Sequence, residues 1–80
     1  MDIKFNNNNF GTTLLIEGKS EVENELVDEN SIIILTKQTN RNTLGVISIS
    51  NKEKGKFSIQ SSYYNDSDWV AYFIINMTKE

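Results

Sequence analysis

From Gly55 to Asn76 the chain reads GKFSIQSSYYNDSDWVAYFIIN. Phe57 and Ile59 alternate with polar neighbours, a polar turn follows from Ser61 to Ser67, and Trp69 to Ile75 is a dense aromatic and aliphatic run. No three-to-four-residue apolar spacing runs through this stretch, so it reads as strand, loop and strand. In the last run both parities are apolar: Val70, Tyr72 and Ile74 against Trp69, Ala71, Phe73 and Ile75. Ser31 to Gln38 repeats the pattern, with large aliphatics at Ile32, Ile33, Ile34 and Leu35. A strand that is apolar on both sides must be covered on both sides. Two such strands exceed what one small core demands, and the surplus predicts a β-sandwich that associates.

The other elements are short. Lys4 and Phe5 suggest an edge strand before the asparagine run Asn6 to Asn9, which reads as a solvated, turn-prone loop. Residues 1–10 are therefore assigned to an N-terminal edge strand and Asn-rich loop, and 11–80 to a single β-sandwich domain. Thr12 to Glu17 alternates, with Leu14 and Ile16 opposite Leu15, and Gly18-Lys19 reads as a tight hairpin turn. Ser20 to Leu26 places Val22, Asn24 and Leu26 on one side and the carboxylates Glu21, Glu23 and Glu25 on the other. Such a row is a solvent face that discourages edge-to-edge aggregation. A helix over Ser20 to Asn30 is the competing reading, with Ser20 and Glu23 as a capping box; its apolar stripe is thin, and the strand is preferred. Asp28 to Asn30 reads as a turn and Thr39 to Thr43 as a polar loop. Leu44–Ser50 and Lys56–Ser61 pair as a hairpin, with Gly55 supplying the positive φ of a bulged turn. The sum is an all-β, compact antiparallel β-sandwich of about six to seven short strands, jelly-roll-like or Ig-like.

Composition limits the chemistry. Eighty residues bury roughly 60–65% of the unfolded chain's surface, and small domains without staples gain stability by assembling. Cysteine and histidine are both absent, which removes disulfides, thiolate metal sites and the commonest general base. The net charge of −3 disfavours nucleic acid as a partner, no apolar run is long enough for a membrane helix, and the N-terminus lacks a signal-peptide layout. Synthesis in a reducing cytoplasm is expected.

The carboxylates Glu21, Glu23, Glu25, Glu53, Asp66 and Asp68 lack an evident cleft, and Ser61 and Ser62 lack an activating base, so no catalysis and no cofactor are expected. Asn65-Asp66-Ser67-Asp68 is the only metal-like run; Asp66 and Asp68 are weak candidate ligands, and the preferred reading has one of them cap the turn through backbone N–H groups. Tyr63, Tyr64 and Asn65 form a candidate ligand-binding loop, an aromatic surface beside polar edges suited to sugar stacking. If the chain is extended there, only one of the two tyrosines is free, and Trp69, Tyr72 and Phe73 are the other aromatics to be shared between sugar contact and packing. The candidate interface is the outer face of the doubly apolar strands, assigned to Ile33, Leu35, Trp69, Phe73 and Ile75. An acidic first half (Glu17 to Glu29) and a basic middle (Lys37 to Lys56) add a charge-complementarity reading, in which assembly weakens at high salt.

The order of these phrases carries a resemblance. Gly11-Thr12-Thr13-Leu14-Leu15, the acidic hairpin, Asn30 to Gln38, then Leu44-Gly45-Val46-Ile47-Ser48-Ile49-Ser50, a charged turn ending in Gly55, and a last strand ending Ile74-Ile75-Asn76 together resemble a small β domain of tailed-phage virion structural proteins. Its settings are auxiliary capsid, head-fibre and tail-fibre modules. Glu21, Glu23, Lys54 and Tyr63-Tyr64 depart from the small residues usual in that family. The resemblance implies a non-enzymatic virion protein that works as a homo-oligomer, a trimer favoured, and docks on major capsid or fibre proteins, with no nucleic acid or membrane partner. It implies an auxiliary capsid or head-decoration protein, or a fibre-associated one. The alternative is a host-receptor or glycan-binding module.

Overall fold

The computed structural model describes residues 2–3, 7–38 and 45–78. The expected edge strand at Lys4 and Phe5 and the polar loop at Thr39 to Thr43 lie outside them. The described residues form eight strands: β1 (Asp2–Ile3), β2 (Phe10–Leu14), β3 (Lys19–Glu23), β4 (Ile32–Lys37), β5 (Ile47–Glu53), β6 (Lys56–Ser61), β7 (Trp69–Ile75) and β8 (Met77–Thr78). Six of them make two antiparallel three-stranded sheets, ordered β2-β7-β4 and β3-β6-β5, while β1 and β8 pair with each other near the two chain ends. Only the β5–β6 connection stays within one sheet; the other links between these six strands cross from sheet to sheet. The sheets meet along their sides, at β2 with β3 and at β4 with β5.

Alternation fills the space between them. Val22 from β3, Phe57 and Ile59 from β6, and Val70 and Ile74 from β7 are buried, with Leu15 and Val27 entering from the connections. Ile33, Leu35, Ile47, Ile49 and Tyr72 pack against this core, and the Phe57 ring meets Tyr72 edge-on at 5.3 Å. Where polar side chains face inward they find each other: the Thr13 and Ser20 hydroxyls lie 2.5 Å apart between β2 and β3.

The turns follow local chemistry. The β2–β3 hairpin closes on Glu17 (φ 53) and Gly18 (φ 76), the paired positive φ of a two-residue hairpin loop, with Ile16 bridged to Lys19. The turn thus lies one residue earlier than the sequence spacing suggested. Gly18 is required twice over, because a Cβ there would also stand 2.7 Å from the Tyr63 carbonyl oxygen. Gly55 takes φ 89 as expected, but the irregularity of β5 sits between Ile49 and Asn51 rather than in the turn. Glu21 and Glu23 face solvent on β3, whereas Glu25 falls in the turn that ends the strand early. No helix forms over Ser20 to Asn30: the Leu26 amide bonds to Asn24 Oδ1 and the Asn30 amide to Asp28 Oδ1, side-chain turns that stop regular structure.

The asparagine run behaves differently from a solvated loop at its end. Asn7–Asn9 is a short 3-10 turn, and Asn9 is only 2% exposed, donating from Nδ2 to the Ile74 carbonyl at 2.8 Å. The physical reason is a buried acceptor on β7 that needs a donor.

Ile74→Ala is expected to lower unfolding free energy by about 2–5 kcal/mol in urea titration, as cavity formation in a packed core does. Ile34→Ala, on the opposite parity of β4, is expected to cost less than about 1 kcal/mol in the isolated monomer.

Candidate functional site

The site begins with Lys37, the last residue of β4. Its ammonium lies 2.6 Å from Asp66 Oδ2 and 3.3 Å from Asp68 Oδ2, and both carboxylates are fully buried. Asp66 also accepts the Ser61 hydroxyl at 2.6 Å on Oδ2 and the Asp68 amide at 3.1 Å on Oδ1. The last bond is the turn cap expected from the sequence. Burial alone would push the Asp66 carboxyl up; Lys37, Ser61 and the Asp68 amide outweigh it and hold the group below its ordinary value of 3.8. Burial likewise pulls Lys37 down, and the two carboxylates more than reverse this, raising it above 10.5. A cation is therefore already supplied by the chain, and no group of three or more potential metal ligands occurs among the described residues.

This cluster fixes the loop between β6 and β7. Gly18 donates its amide to the Asp66 carbonyl (3.0 Å) and accepts from the Ser61 amide (2.7 Å), while Ser62 and Val46 exchange two bonds of 2.9 Å. Gly45 passes so close that a Cβ on it would collide with Ser61 Oγ and Asp66 Oδ2. The residues at 62–65 form a tight turn rather than an extended segment, so Tyr63 and Tyr64 both reach solvent, against the expectation that only one would. Tyr64 is the more exposed, at 71%, and Asn65 is exposed beside it. Tyr64 borders a cleft of about 280 Å³ with Glu17, Lys19, Gln60 and Ser62, none of the first three of which the sequence had brought to this site.

Lys37 also decides which way β4 faces. Ile33 and Leu35 share its parity and therefore turn inward, against the core. Their assignment to the outer face is corrected: the outward residues are Ile32 and Ile34, 44% and 48% exposed. Trp69, Phe73 and Ile75 do stand on the outer side of β7. Cross-strand register then builds a continuous face: Ile32 opposite Ile75, Ile34 and Phe10 opposite Phe73, Thr36 and Thr12 opposite Ala71, and Leu14 opposite Trp69. The Phe10 and Phe73 rings stack at 4.6 Å, yet Phe10 stays 55% and Trp69 51% exposed. The short Thr12–Ala71–Thr36 row sinks between larger neighbours and leaves a shallow apolar trough of about 480 Å³.

The other sheet presents the opposite character. Its outer residues include Lys19, Glu21, Glu23, Glu53, Lys56 and Gln60, and Lys56 lies 3.3 Å from Glu53 and 3.9 Å from Glu21. The acidic row and a lysine of the basic middle thus share one solvated face and partly neutralise each other there.

Removing the Lys37 charge strands two buried carboxylates, so Lys37→Met is expected to cost about 3–5 kcal/mol in urea unfolding. Adding Asp66→Asn to that variant should recover part of the loss. The Asp66 contribution is present above pH 3.8 and is lost as pH falls through its lowered folded value; that of Lys37 is present below pH 10.5 and is lost as pH rises through its raised one. Between those limits Asp66 and Lys37 should leave stability flat, and Asp66→Asn should shrink the acid limb of a melting-temperature profile.

No curated protein matches the chain. The sequence profile described as "K1 capsule-specific polysaccharide lyase, C-terminal domain" matches residues 7–75, which spans both sheets. This agrees loosely with a phage virion module and lends nothing to capsid decoration or a head fibre. The chain belongs to the family of the K1 capsule-specific polysaccharide lyase C-terminal domain.

Proposed function

We propose that this domain is a non-catalytic assembly module of a phage tail spike, located in the virion, whose apolar sheet face is covered by other copies of the same chain in a trimer. The observation that carries the reading is the outer face of β2-β7-β4. It holds no charged residue, and five of its large side chains, Phe10, Leu14, Ile32, Ile34 and Trp69, stand between 38% and 55% exposed. Seven residues along β7 and three strands across give it a plan area of about 300 Å², the size of the largest apolar patch on an ordinary monomer, which is often a functional one. The opposite face, with its lysines and glutamates, is the side left to solvent. A non-catalytic role is supported by the fate of the carboxylates: Asp66 and Asp68 are spent on Lys37, and Glu21 on Lys56. The number three rests on the resemblance to oligomeric virion modules, and other virion proteins docking on the assembly complete the picture. Family membership favours the tail spike over auxiliary capsid decoration.

Because the face is uncharged, assembly through it should hold at high salt, where apolar burial is not weakened; assembly through the charge layout would instead weaken there, so the salt dependence separates the two readings. Sedimentation of the full chain is expected to give three times the 9.2 kDa chain mass. Phe10→Ser combined with Trp69→Ser, both at exposed positions, should yield a folded monomer. A wild-type chain that sediments as a monomer at micromolar concentration would overturn the proposal, and binding to a different virion protein through this face would reassign the occupant.

A further inference from the structure

We infer that the copies join by strand addition: β4 of one copy pairs in parallel with β2 of the next, and three three-stranded sheets close into one nine-stranded ring with the apolar face inside. This rests on the trimer proposed above and specifies how its copies meet. Hydrogen-bond parity shows what the two edges offer. The Gln38 amide donates to the Trp69 carbonyl, one step beyond the Lys37–Val70 pair. By antiparallel alternation Ile32, Ile34 and Thr36 bond to β7, and the amides and carbonyls of Ile33 and Leu35 point to the far side. The Leu15 amide likewise donates to the Asp68 carbonyl, so Gly11 and Thr13 bond to β7 while Thr12 and Leu14 turn their backbone groups to the other edge. Among the described residues no strand pairs with β4 or β2 on those sides.

Neither edge is guarded. Sheet edges that stay solitary carry charge, proline or a bulge; β3 has Lys19, Glu21 and Glu23, and β5 has its irregularity between Ile49 and Asn51. The chain contains no proline, β2 holds no charge, and the single charge of β4, Lys37, is held inward by Asp66 and Asp68. The edges also match in direction. β2 and β4 both run antiparallel to β7, hence parallel to each other, and a three-fold axis along the strands keeps every copy pointing the same way. Area decides against simple stacking. Two copies laid face to face would cover about 600 Å² of plan area in all, short of the roughly 1,000 Å² that specific interfaces clear. Two-fold pairing of β4 with β4 would leave the β2 edge and the apolar face uncovered. The ring covers both edges and the face together. It has one strand more than the barrel of about eight whose interior side chains just fill, which suits residues as large as Phe10, Phe73 and Trp69.

The test is amide hydrogen exchange on the full chain, labelled with ¹⁵N, with the Phe10→Ser/Trp69→Ser chain as the monomeric reference. Measured against the Ile34 amide, which bonds to β7 in both, the Ile33 and Leu35 amides should exchange about a hundredfold slower in the wild type than in the reference. Cross-linking reads the pairing itself. Thr12→Cys is combined in turn with Ile32→Cys, Ile34→Cys, Thr36→Cys or Gln38→Cys, which samples four registers. Within one chain β2 and β4 lie about 10 Å apart across β7, beyond disulfide reach, so oxidation joins only different copies. At least one combination should run as a covalent trimer in denaturing electrophoresis. A trimeric wild type with fast Ile33 and Leu35 exchange, or with no covalent trimer from any combination, would overturn the strand pairing and leave the trimer standing. A monomeric wild type would overturn both.

Discussion

One ammonium group between two buried carboxylates sets the geometry of this domain. Lys37 closes β4, Asp66 and Asp68 precede β7, and the three meet where the loop from β6 would otherwise be loose. Strand alternation then leaves no freedom. Ile33 and Leu35 must follow Lys37 inward, and Val70, Tyr72 and Ile74 must follow Asp66 and Asp68, because a slip of one residue would expel the charges and the core side chains together. A buried ion pair is poor evidence for stability, since its desolvation offsets much of its attraction. Here its consequence is register: it decides which of two equally apolar faces of β4 and β7 becomes core.

The molecule that results is two-sided in a literal sense. Both sheets send alternate residues into a shared interior, but their outer surfaces differ in kind. The β3-β6-β5 sheet shows charge and amide, and a bulge between Ile49 and Asn51 interrupts β5 at its edge. The β2-β7-β4 sheet shows Phe, Trp, Ile, Leu and Thr. Surface salt bridges such as Lys56–Glu53 contribute little to folding, so the charges of the polar sheet are a solvated face rather than a source of stability. The apolar sheet leaves Phe10, Ile32, Ile34 and Trp69 about half exposed.

Much of this was legible in the sequence, and the reasons are particular. β6 and β7 have strong alternation and high β-propensity, and Lys56–Ser61 and Trp69–Ile75 fall where the pattern puts them. The Glu21 and Glu23 row was readable because three carboxylates every second residue fit only a wet face. Parity of β4 was not readable from Ile32 to Leu35 alone, since all four are alike. The signal lay two residues on: Lys37 matches the parity of Ile33, and Asp66 and Asp68 match that of Val70. Pairing them needs a contact across about thirty residues that spacing cannot supply. Asn9 was missed for the same reason, because the carbonyl that buries it belongs to Ile74, 65 residues away. Glu17 and Gln60 gave no warning either; only the turn geometry and the strand register make them neighbours of Tyr64.

The smallest sheet has an outsized effect on how the domain is presented. β1 and β8, two residues each, bring Asp2 beside Thr78. They follow the end of β7 that carries Ile75, whereas the Tyr64 loop feeds the other end at Trp69, about 20 Å away along the strand. Chain entry and chain exit therefore share one pole of the sandwich, and the aromatic loop occupies the opposite one. Whatever meets Tyr64 therefore approaches from the pole opposite the β1–β8 pair.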